Sequence, residues 1–545
     1  MIIGIVQGNP VVGDVEGNLE KAKNFILEGD EKGADLILFP ELFITGYPPE
    51  DLLYNPAFLE KSQKAVMELQ FFSKSVKSAI IIGAPNAGNG YRTPDSLKGQ
   101  PLYNSAIVFH NGEYIAKYDK IYLPNYGVFD EKRYFIEGRE NQTGSIFTLK
   151  GIKFGLTICE DIWSKRHEYF DPLKECDIIL NLSSSPFYQG KFKERIEVVS
   201  SFARHFSKKL VYANLVGGQD ELVFDGNSMV CNEKGEVTAF YPAFEEGLFF
   251  YNTEEIVTVK PERKKYADIL EALKLGLKDY VSKNGFNKVV VGLSGGIDSA
   301  LTAAVAVLAL GKENVKGVMM PSKFSSEGSV TDSVKLAENI GIETFQVPIE
   351  NVFGSFEKEL HPVFKDKKPD ITEENLQARI RGVILMAFSN KFNWLLLTTG
   401  NKSEVSVGYC TLYGDMAGGF SLIKDVLKTD AYKLSEFINE TYGELIPQEI
   451  IIKEPSAELR ENQKDSDSLP EYPVLDKILT SYIEERKTVR EICEEMGNEA
   501  QVRKIINLVM QNEYKRRQAA PGIKLTPLAF GKDRRVPMTN RFYEK

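Results

Sequence analysis

Short apolar runs alternate with amphipathic segments over the first 250 or so residues of the chain. Strands are predicted where β-branched and other apolar residues cluster, at residues 2–6, 36–39, 80–82, 106–109, 154–158 and 178–182. Between them, residues 19–31 and 58–73 carry apolar side chains at helical spacing. This alternation predicts an α/β domain with mixed sheets. A polar stretch at residues 253–265 is the predicted linker, so we expect one domain at residues 1–255 and a second at residues 265–545.

The second half of the chain repeats strand and helix in a regular order. A helix beginning near Tyr266 leads into an apolar strand at residues 289–291. Further strands are predicted at residues 315–319, 344–347 and 394–398, with helices at residues 331–340 and 375–390 between them. Such an order predicts a doubly wound parallel sheet that binds ligands at the carboxyl ends of its strands. Beyond the sheet, two helices are predicted at residues 474–485 and 500–517, and a mobile loop at residues 461–469.

Composition narrows the class of protein. The chain has 545 residues, of which 43% are hydrophobic and 26% charged, as in soluble globular proteins. Its net charge of −10 argues against a nucleic-acid-binding surface. The 5 cysteines and 4 histidines include no CxxC pair, which fits a reducing compartment and leaves little material for a metal site built on His and Cys.

The N-terminal residues and the length of the apolar runs indicate where the protein is located. The first residues, MIIGIVQGNP, predict a strand and have no positively charged segment of the kind that opens a signal peptide. The longest apolar run, residues 300–310, is about half the length that a bilayer requires. We therefore expect a soluble, cytoplasmic protein that binds neither nucleic acid nor membrane.

A glycine-rich turn joins the predicted strand at residues 289–291 to the apolar run that ends at residue 310. We call it the glycine loop, and its residues are Gly292, Leu293, Ser294, Gly295, Gly296, Ile297, Asp298 and Ser299. A glycine turn that opens a helix presents free backbone N–H groups to a phosphate, although an ordinary strand-to-helix turn is the plainer alternative. Because no lysine follows the glycines, this is not the GxxxxGK[ST] loop of kinases and GTPases. It resembles the SGGxDS loop of the ATP pyrophosphatases, and that resemblance implies that all eight residues bind ATP.

Three reactive side chains in the first half lie at or near predicted strand ends: Glu41, Lys120 and Cys159. A cysteine nucleophile needs a base, and a desolvated carboxylate can serve as one. A nearby lysine would stabilise the thiolate and the developing oxyanion. Taken singly, a buried cysteine and solvated surface charges are the plainer interpretation. Together, their contexts resemble the nitrilase superfamily, whose Glu-Lys-Cys triad hydrolyses amides and nitriles on an αββα sandwich.

The nitrilase resemblance covers residues 1–250 and implies a role for each of these side chains. It makes Glu41 the general base, Lys120 the oxyanion partner and Cys159 the nucleophile. Glu131 matches a further acidic position that orients the site, with a surface carboxylate as the alternative. Glutamine-using members hold their substrate at positions that correspond here to Tyr126, Ser185 and Lys191.

An amidase joined to an ATP-pyrophosphatase loop is similar, over nearly the whole chain, to the family of glutamine-dependent NAD+ synthetases. That family converts deamido-NAD+, ATP and glutamine to NAD+, AMP, pyrophosphate and glutamate. The motifs that carry the resemblance are MPSKFSS at residues 320–326, ENLQARIRG at 374–382, TTGNKSE at 398–404 and GYCTLYGD at 408–415.

The resemblance also implies contacts with the substrates of the second domain. Thr399 and Lys428 match ATP contacts, and deamido-NAD+ positions fall on Asn375, Glu404, Asp415 and Lys515. Asp298 and Glu404 are the implied ligands of Mg²⁺, because hard cations prefer carboxylate oxygen. Helix capping and turn formation are the plainer roles for Glu404 and Asp415, and a solvated helix face is the plainer place for Lys515.

Other enzymes with the same loop remain as alternatives. Asparagine-synthetase-like enzymes use an N-terminal cysteine, whereas Ile2 follows Met1 here. GMP-synthetase-like enzymes use a Cys-His-Glu amidase, and no histidine of this chain lies in a matching context. A catalytically silent nucleotide-binding relative would be expected to have lost part of the Glu-Lys-Cys set, which is complete here. The family forms homo-oligomers, so we expect a homo-oligomer.

Overall fold

The computed structural model describes residues 1–87, 91–92, 100–255, 257–365 and 367–542. The chain divides into two compact units, Met1–Arg263 and Lys264–Lys545. The division falls within the stretch predicted as a linker, of which residue 256 lies outside the described residues. Among the described helices, none combines the length and the apolar character that crossing a bilayer requires.

The first unit contains strands that form two sheets and helices that cover them. The strands are β1 (Ile2–Gln7), β2 (Leu36–Leu38), β3 (Ala79–Ala87), β4 (Tyr91–Arg92), β5 (Gln100–His110), β6 (Glu113–Asp119), β7 (Ile146–Leu149), β8 (Ile152–Ile158), β9 (Ile178–Ser183), β10 (Lys209–Asn214), β11 (Val216–Gln219), β12 (Leu222–Asp225), β13 (Met229–Cys231), β14 (Val237–Phe240) and β15 (Gly247–Asn252). The helices are α1 (Val15–Glu31), α2 (Pro56–Phe72) and α3 (Lys191–Phe206). Local chemistry sets two helix starts, because the side chains of Asp14 and Asn55 accept backbone N–H groups at the first turns of α1 and α2.

These elements form four layers. One sheet has the order β15-β1-β2-β3-β5-β4 with β6 on β5, the other β14-β13-β10-β9-β8-β7, and β11 pairs with β12 in a small ribbon. Apolar side chains of both sheets, such as Ile5 and Leu156, share one core, and α3 joins that core through Val199. Leu19 of α1 and Leu69 of α2 pack on the other face of the first sheet. The predicted αββα sandwich with mixed sheets is therefore confirmed.

The second unit is built on one parallel sheet. Its strands are β16 (Val289–Leu293), β17 (Val315–Met319), β18 (Glu343–Gln346), β19 (Leu395–Thr398) and β20 (Phe420–Ser421), in the order β18-β17-β16-β19-β20. Every strand pair in this sheet is parallel. The order reverses at β16, so β17 and β19 flank it and a crevice opens at the carboxyl end of the sheet. This is the predicted doubly wound architecture.

Helices cover the sheet and fill the rest of the second unit. They are α4 (Lys265–Lys283), α5 (Ile297–Leu310), α6 (Glu327–Ile340), α7 (Glu350–Phe364), α8 (Ile371–Phe392), α9 (Lys402–Val407), α10 (Lys428–Tyr442), α11 (Gln448–Ile452), α12 (Tyr472–Leu479), α13 (Val489–Met496), α14 (Glu499–Gln511) and α15 (Glu513–Arg516).

The C-terminal predictions need correction in detail. The helix predicted at residues 474–485 ends at Leu479 and continues as the π-helical turn Thr480–Glu484. The helix predicted at residues 500–517 breaks at Asn512, whose amide side chain donates to the carbonyl of Val407 at 2.9 Å. Within residues 461–469, predicted as a mobile loop, Asp465 is buried and accepts hydrogen bonds from two tyrosines. The polar residues of this segment predicted a mobile loop because the sequence does not show that the two tyrosines bind Asp465.

Candidate functional site

The structure brings Glu41, Lys120 and Cys159 together between the two sheets of the first unit. Glu41 follows β2, Lys120 follows β6 and Cys159 follows β8 directly. The Nζ atom of Lys120 lies 2.6 Å from Glu41 Oε1, and neither side chain is exposed. The thiol of Cys159 is buried and interacts electrostatically with both of them. A nucleophile, a carboxylate and an ammonium therefore share one site that is buried from solvent.

Glu131 belongs to the same cluster. Lys120 Nζ lies 2.9 Å from each of its carboxylate oxygens, and the hydroxyl of Tyr47 donates to Oε1 at 2.8 Å. The alternative of a surface carboxylate is wrong, because Glu131 is buried. Asn104 donates to Glu41 Oε1 at 2.7 Å, whereas Glu41 Oε2 is buried with no hydrogen-bond partner among the described residues. That oxygen remains available to accept a proton.

Burial and charge set the protonation of this cluster. Burial raises the pKa of Cys159 well above its ordinary value, and the charge of Glu41 adds to the effect. Burial alone would lower the pKa of Lys120, but Glu131 and Glu41 outweigh it and hold that pKa well above the ordinary value. Burial also raises the pKa of Glu131. The resting state is therefore a neutral thiol beside a charged ammonium.

Asp161 fixes the turn that carries the nucleophile. Cys159 has a left-handed φ of 40° and opens the 3₁₀ helix Cys159–Ile162. Asp161 accepts the N–H groups of Ile158 at 2.8 Å and Tyr122 at 2.9 Å, and the hydroxyl of Tyr118 at 2.8 Å. It therefore ties the cysteine turn to the segment that carries Lys120. The sequence alone did not assign this role, and its only signal was an acidic pair directly after a strand.

Two of the predicted glutamine-binding residues lie around Glu160. The hydroxyl of Tyr126 donates to Glu160 at 2.9 Å, and the tyrosine is 57% exposed. The Nζ atom of Lys191, at the start of α3, lies 3.6 Å from the centre of the Trp163 ring. Burial, with Arg195 adding to it, lowers the pKa of Lys191 to about 8. An ammonium and an acidic group thus lie beside the nucleophile.

Ser185, the third of them, is held by a buried polar network. Its N–H donates to Asn214 Oδ1 at 2.8 Å, and Arg195 donates to its carbonyl at 3.2 Å. Arg195 in turn forms a buried ion pair with Asp225 at 2.9 Å. The network positions the backbone of Ser185 on the segment that follows β9.

The glycine loop lines a cavity of about 310 Å³ in the second unit, together with Thr399, Glu404, Asp415 and Lys428. The loop ends at the start of α5, where the N–H groups of the first turn have no intrahelical partner and no described side chain caps the helix. Ser294 and Ser299 fix the turn through their hydroxyls, which are 3.1 Å apart. Gly295 has a φ of 76°, and a Cβ there would lie 2.7 Å from Ser329 Cα, so this position requires glycine.

Lys428 bridges the two predicted metal ligands. Its Nζ lies 2.5 Å from Asp298 Oδ2 and 2.9 Å from Glu404 Oε1. Asn401 donates to the other oxygen of Asp298 at 3.0 Å. Burial raises the pKa of Glu404, and the two carboxylates hold the pKa of Lys428 above its ordinary value against burial. Both carboxylates line the cavity. The side chain that caps the start of α9 is that of Asn401, so helix capping is not the role of Glu404.

The donor set at this point fits a hard cation that shares a phosphate. Within the described part of the chain, no group of three or more His, Cys, Asp or Glu side chains could hold a metal ion by itself. Asp298 and Glu404 nevertheless offer carboxylate oxygens at the wall of the cavity that the glycine loop lines. Magnesium is commonly held by one or two carboxylates plus the phosphates of a substrate.

The other predicted dinucleotide positions divide into two groups. Asp415 lines the cavity and accepts the N–H of Thr411 at 2.6 Å, and burial raises its pKa to about 6. Asn375 lies one step away, accepting the Thr411 hydroxyl at 2.8 Å. Lys515 donates to the carbonyls of Gly408 and Cys410 at 2.8 Å. Asn375 and Lys515 therefore support the segment at residues 408–415, and neither lines the cavity.

Several cavity residues were missed by the sequence analysis. Residues 453–459 form part of the wall, and Glu458 accepts hydroxyl hydrogen bonds from Ser326 and Ser329 at the start of α6. Tyr472 donates to Asp465 at 2.7 Å, and its hydroxyl lies 3.1 Å from Glu404. Polarity was the only signal in these segments, and polarity is equally typical of exposed loops.

Comparisons with known proteins agree with this two-part organisation. The carbon-nitrogen hydrolase family model matches residues 2–257, and the NAD synthase family model matches residues 269–519. The glutamine-dependent NAD(+) synthetase of Thermotoga maritima is 44% identical to the chain, and the match covers 99% of each protein. The corresponding protein of Acinetobacter baylyi is 42% identical, over 99% of this chain and 98% of its own.

Solved structures give the same result. The glutamine-dependent NAD+ synthetase of Acinetobacter baumannii, in complex with adenosine diphosphate, is 41% identical, with a TM-score of 0.77, over 99% of this chain and 98% of that one. A glutamine-dependent NAD(+) synthetase from Cytophaga hutchinsonii, 24% identical, has the same fold with a TM-score of 0.83, over 99% of this chain and 98% of its own. The chain therefore belongs to the family of glutamine-dependent NAD+ synthetases.

Proposed function

We propose that the chain makes NAD+ from deamido-NAD+, ATP and glutamine, with an amidase domain at residues 1–255 and a synthetase domain at residues 265–545. The observation that carries this proposal is the pairing of two chemistries in one chain. The first unit has a buried cysteine with a carboxylate and an ammonium beside it, and the second has a glycine loop at the wall of a cavity. The first releases ammonia, and the second activates a carboxylate that ammonia can attack.

Glutamine hydrolysis follows from the geometry of the first unit. The sulfur of Cys159 attacks the side-chain amide carbon of glutamine while its proton passes to Glu41, whose Oε2 has no other described hydrogen bond. The ammonium of Lys120 stabilises the oxyanion. The tetrahedral intermediate collapses with release of ammonia, which takes the proton from Glu41, and leaves a thioester on Cys159. Water, deprotonated by Glu41, then cleaves the thioester to give glutamate and restores the thiol.

Substrate recognition in this unit uses the side chains around the nucleophile. Lys191 offers an ammonium to the α-carboxylate of glutamine, and Ser185 and Tyr126 offer hydrogen bonds beside it. The short distance from Lys191 to the face of Trp163 supports this role, because the ring holds the ammonium in place without neutralising it.

Amidation in the second unit proceeds through an acyl-adenylate. The nicotinate carboxylate of deamido-NAD+ attacks the α-phosphorus of ATP, and pyrophosphate leaves. Backbone N–H groups at the start of α5 and the ammonium of Lys428 stabilise the charge that develops on the leaving group. Ammonia then attacks the acyl carbon, AMP departs, and the product is the amide. Thr399 holds the nucleotide, and the dinucleotide lies against Glu404 and Asp415 at the cavity wall. Asn375 and Lys515 contribute to dinucleotide binding by holding the segment at residues 408–415 in place.

Asp298 and Glu404 are the residues that would hold Mg²⁺ in this scheme. When bound, the ion would neutralise part of the charge on the phosphates. Lys428 also supplies counter-charge to both carboxylates. Asn401 orients Asp298 through the hydrogen bond to Oδ1.

The proposal is tested by separating the two reactions. The C159A variant should lose glutamine-dependent NAD+ formation and retain NAD+ formation from deamido-NAD+, ATP and an ammonium salt. NAD+ and AMP are measured together, with wild-type protein and a C176A variant as controls, since Cys176 is another buried cysteine of the first unit. Wild-type protein that forms AMP with a different acceptor, and none with deamido-NAD+, would instead identify another glutamine-dependent AMP-forming amidotransferase. Wild-type protein that forms no AMP would be a catalytically silent relative.

We also propose that the protein is a cytoplasmic homo-oligomer. The cysteines are free thiols, which suits a reducing compartment. Helices α7 and α8 present exposed apolar side chains, among them Val363 at 76% and Val383 at 69% exposure, and such surfaces commonly mark subunit contacts. Light scattering on the purified protein gives its mass in solution, and a monomer at all concentrations would contradict the oligomer.

A further inference from the structure

Arg381 of α8 faces the cavity of the second unit beside the glycine loop. Leu385, one helical turn further on the same face, would lie 3.2 Å from a Cβ added to Gly292, the first residue of the loop. Arg381 Nε donates to the carbonyl of Met320 at 3.1 Å, which holds the guanidinium at the carboxyl end of β17. Arg381 and the whole glycine loop line the same cavity.

The guanidinium of Arg381 has no direct counter-ion among the described residues. No carboxylate of the described residues forms an ion pair with it, whereas Arg195 pairs with Asp225 at 2.9 Å and Arg516 with Glu513 at 3.0 Å. Burial lowers the pKa of Arg381 to about 10, and the charge of Glu458 opposes this effect. Burying a charge is costly unless a partner compensates for it. A bound anion would provide that partner.

The other cations of the cavity are already engaged by carboxylates. Lys428 contacts Asp298 and Glu404, and Lys453 lies 3.5 Å from Asp332 and 3.8 Å from Glu458. Arg381 is therefore the cavity-lining cation whose hydrogen-bond donors are least committed among the described residues. Its planar guanidinium can donate two parallel hydrogen bonds to a phosphate, which an ammonium cannot do.

We propose that Arg381 is a phosphate-binding residue that donates to the polyphosphate chain of ATP held at the glycine loop. The packing of the same helix face on Gly292 favours ATP over the pyrophosphate group of the dinucleotide as the source of that phosphate. The assignment rests on the proposed function for the identity of the nucleotide. None of the activities proposed above depends on this role of Arg381.

Calorimetric titration of the full-length protein with magnesium-ATP, adenosine and deamido-NAD+, each alone, tests this role. The R381M variant should bind ATP about 10- to 100-fold more weakly, the effect expected for loss of charge-assisted hydrogen bonds. Adenosine and deamido-NAD+ should bind as they do to wild type, because neither would place a phosphate at Arg381. The R381K variant should recover part of the ATP affinity. K391M, an exposed position on the same helix, should behave as wild type.

Other outcomes would overturn the proposal. An unchanged ATP affinity in R381M would contradict the proposed phosphate contact. An equal loss of affinity for ATP and for adenosine would show that Arg381 only shapes the pocket. A loss confined to deamido-NAD+ would assign the residue to the dinucleotide instead. Urea unfolding of R381M in a W163F background, in which Trp394 reports on the second unit alone, checks that this unit is folded. If wild type binds ATP through Arg381 and yet forms no NAD+, the phosphate contact stands and the proposed function fails.

Discussion

The ammonium of Lys120 lies 2.6 Å from Glu41 Oε1 at a point where neither side chain reaches solvent. The same ammonium lies 2.9 Å from Glu131, so one cation balances two buried carboxylates. The excess of negative charge adds to burial in raising the pKa of Cys159, which keeps the thiol neutral. One oxygen of Glu41 is thus held in place, and the other, which has no hydrogen-bond partner in the described part of the chain, can take the proton of the thiol.

Replacing Lys120 with methionine should destabilise the first unit strongly. The change leaves Glu41 and Glu131 buried without a cation, and breaking a buried pair in this way costs about 3–5 kcal/mol. The difference in free energy of unfolding between K120M and wild type should become smaller as the pH falls. Burial raises the pKa of Glu131, and protonation of that carboxylate removes the unpaired charge. Urea unfolding in a W394F background measures this change, since Trp163 then reports on the first unit alone.

An exposed lysine provides the control for that measurement. Lys150 pairs with Asp35 but is 65% exposed, so K150M should change the free energy of unfolding by about 1 kcal/mol or less. Equal effects of K120M and K150M would contradict the importance assigned to the buried cluster.

The affinity for glutamine should depend on the protonation of Lys191. Its pKa of about 8 means that the side chain is an ammonium below that pH and an amine above it. An amine does not attract the α-carboxylate of glutamine, so the KM for glutamine should rise as the pH passes through about 8. The K191R variant should not show this rise, because arginine stays charged. Glutaminase kinetics between about pH 6.5 and about pH 9.5 provide the comparison, and a flat KM in wild type would contradict the role.

The residues that could be predicted from the sequence are those that lie at the end of a predicted strand. Glu41, Lys120 and Cys159 could be found because each follows a strand and carries reactive chemistry, and the glycine loop could be found because its turn and helix are local. The layer architecture followed from the alternation of strand and helix patterns, since those periodicities determine which faces are buried.

The residues that depend on distant contacts could not be found in this way. Asp161 is important because its carboxylate accepts hydrogen bonds from N–H groups some 40 residues earlier in the chain. Asp465 is important because the hydroxyls of Tyr409 and Tyr472 both donate to it. Arg381 is distinctive only because no carboxylate of the described residues forms an ion pair with it, which is a property of the folded chain. Polarity alone would place all three in exposed segments.

Gly83 should be required for the geometry of Glu41. A Cβ at this position of β3 would lie 2.8 Å from the carbonyl carbon of Glu41 and closer still to the backbone nitrogen of Leu42. Because backbone cannot move aside as a side chain can, G83A should displace Glu41 and cost about 1–3 kcal/mol of stability. Glutaminase activity should fall, and NAD+ formation from ammonium salts should persist.

A second glycine of the first unit is the matched control for G83A. The nearest described atom to a Cβ at Gly144 is the carbonyl oxygen of Lys117, at 3.4 Å, so G144A should leave glutaminase activity close to that of wild type. If G83A were as active as G144A, the close approach of β3 would not position Glu41.

Replacing Asp298 with asparagine should stop pyrophosphate release with either source of nitrogen. The change removes one of the two carboxylates proposed to hold Mg²⁺ and leaves Lys428 paired with Glu404 alone. Loss of charge stabilisation at a leaving phosphate lowers the rate by about a hundredfold or more. Glutaminase activity belongs to the other unit and should be retained. Urea unfolding in a W163F background, in which Trp394 reports on the second unit alone, checks that this unit is folded. D370N is the control, because Asp370 caps the exposed start of α8 and asparagine caps equally well. Undiminished pyrophosphate release in D298N would exclude the metal-binding role proposed for this carboxylate.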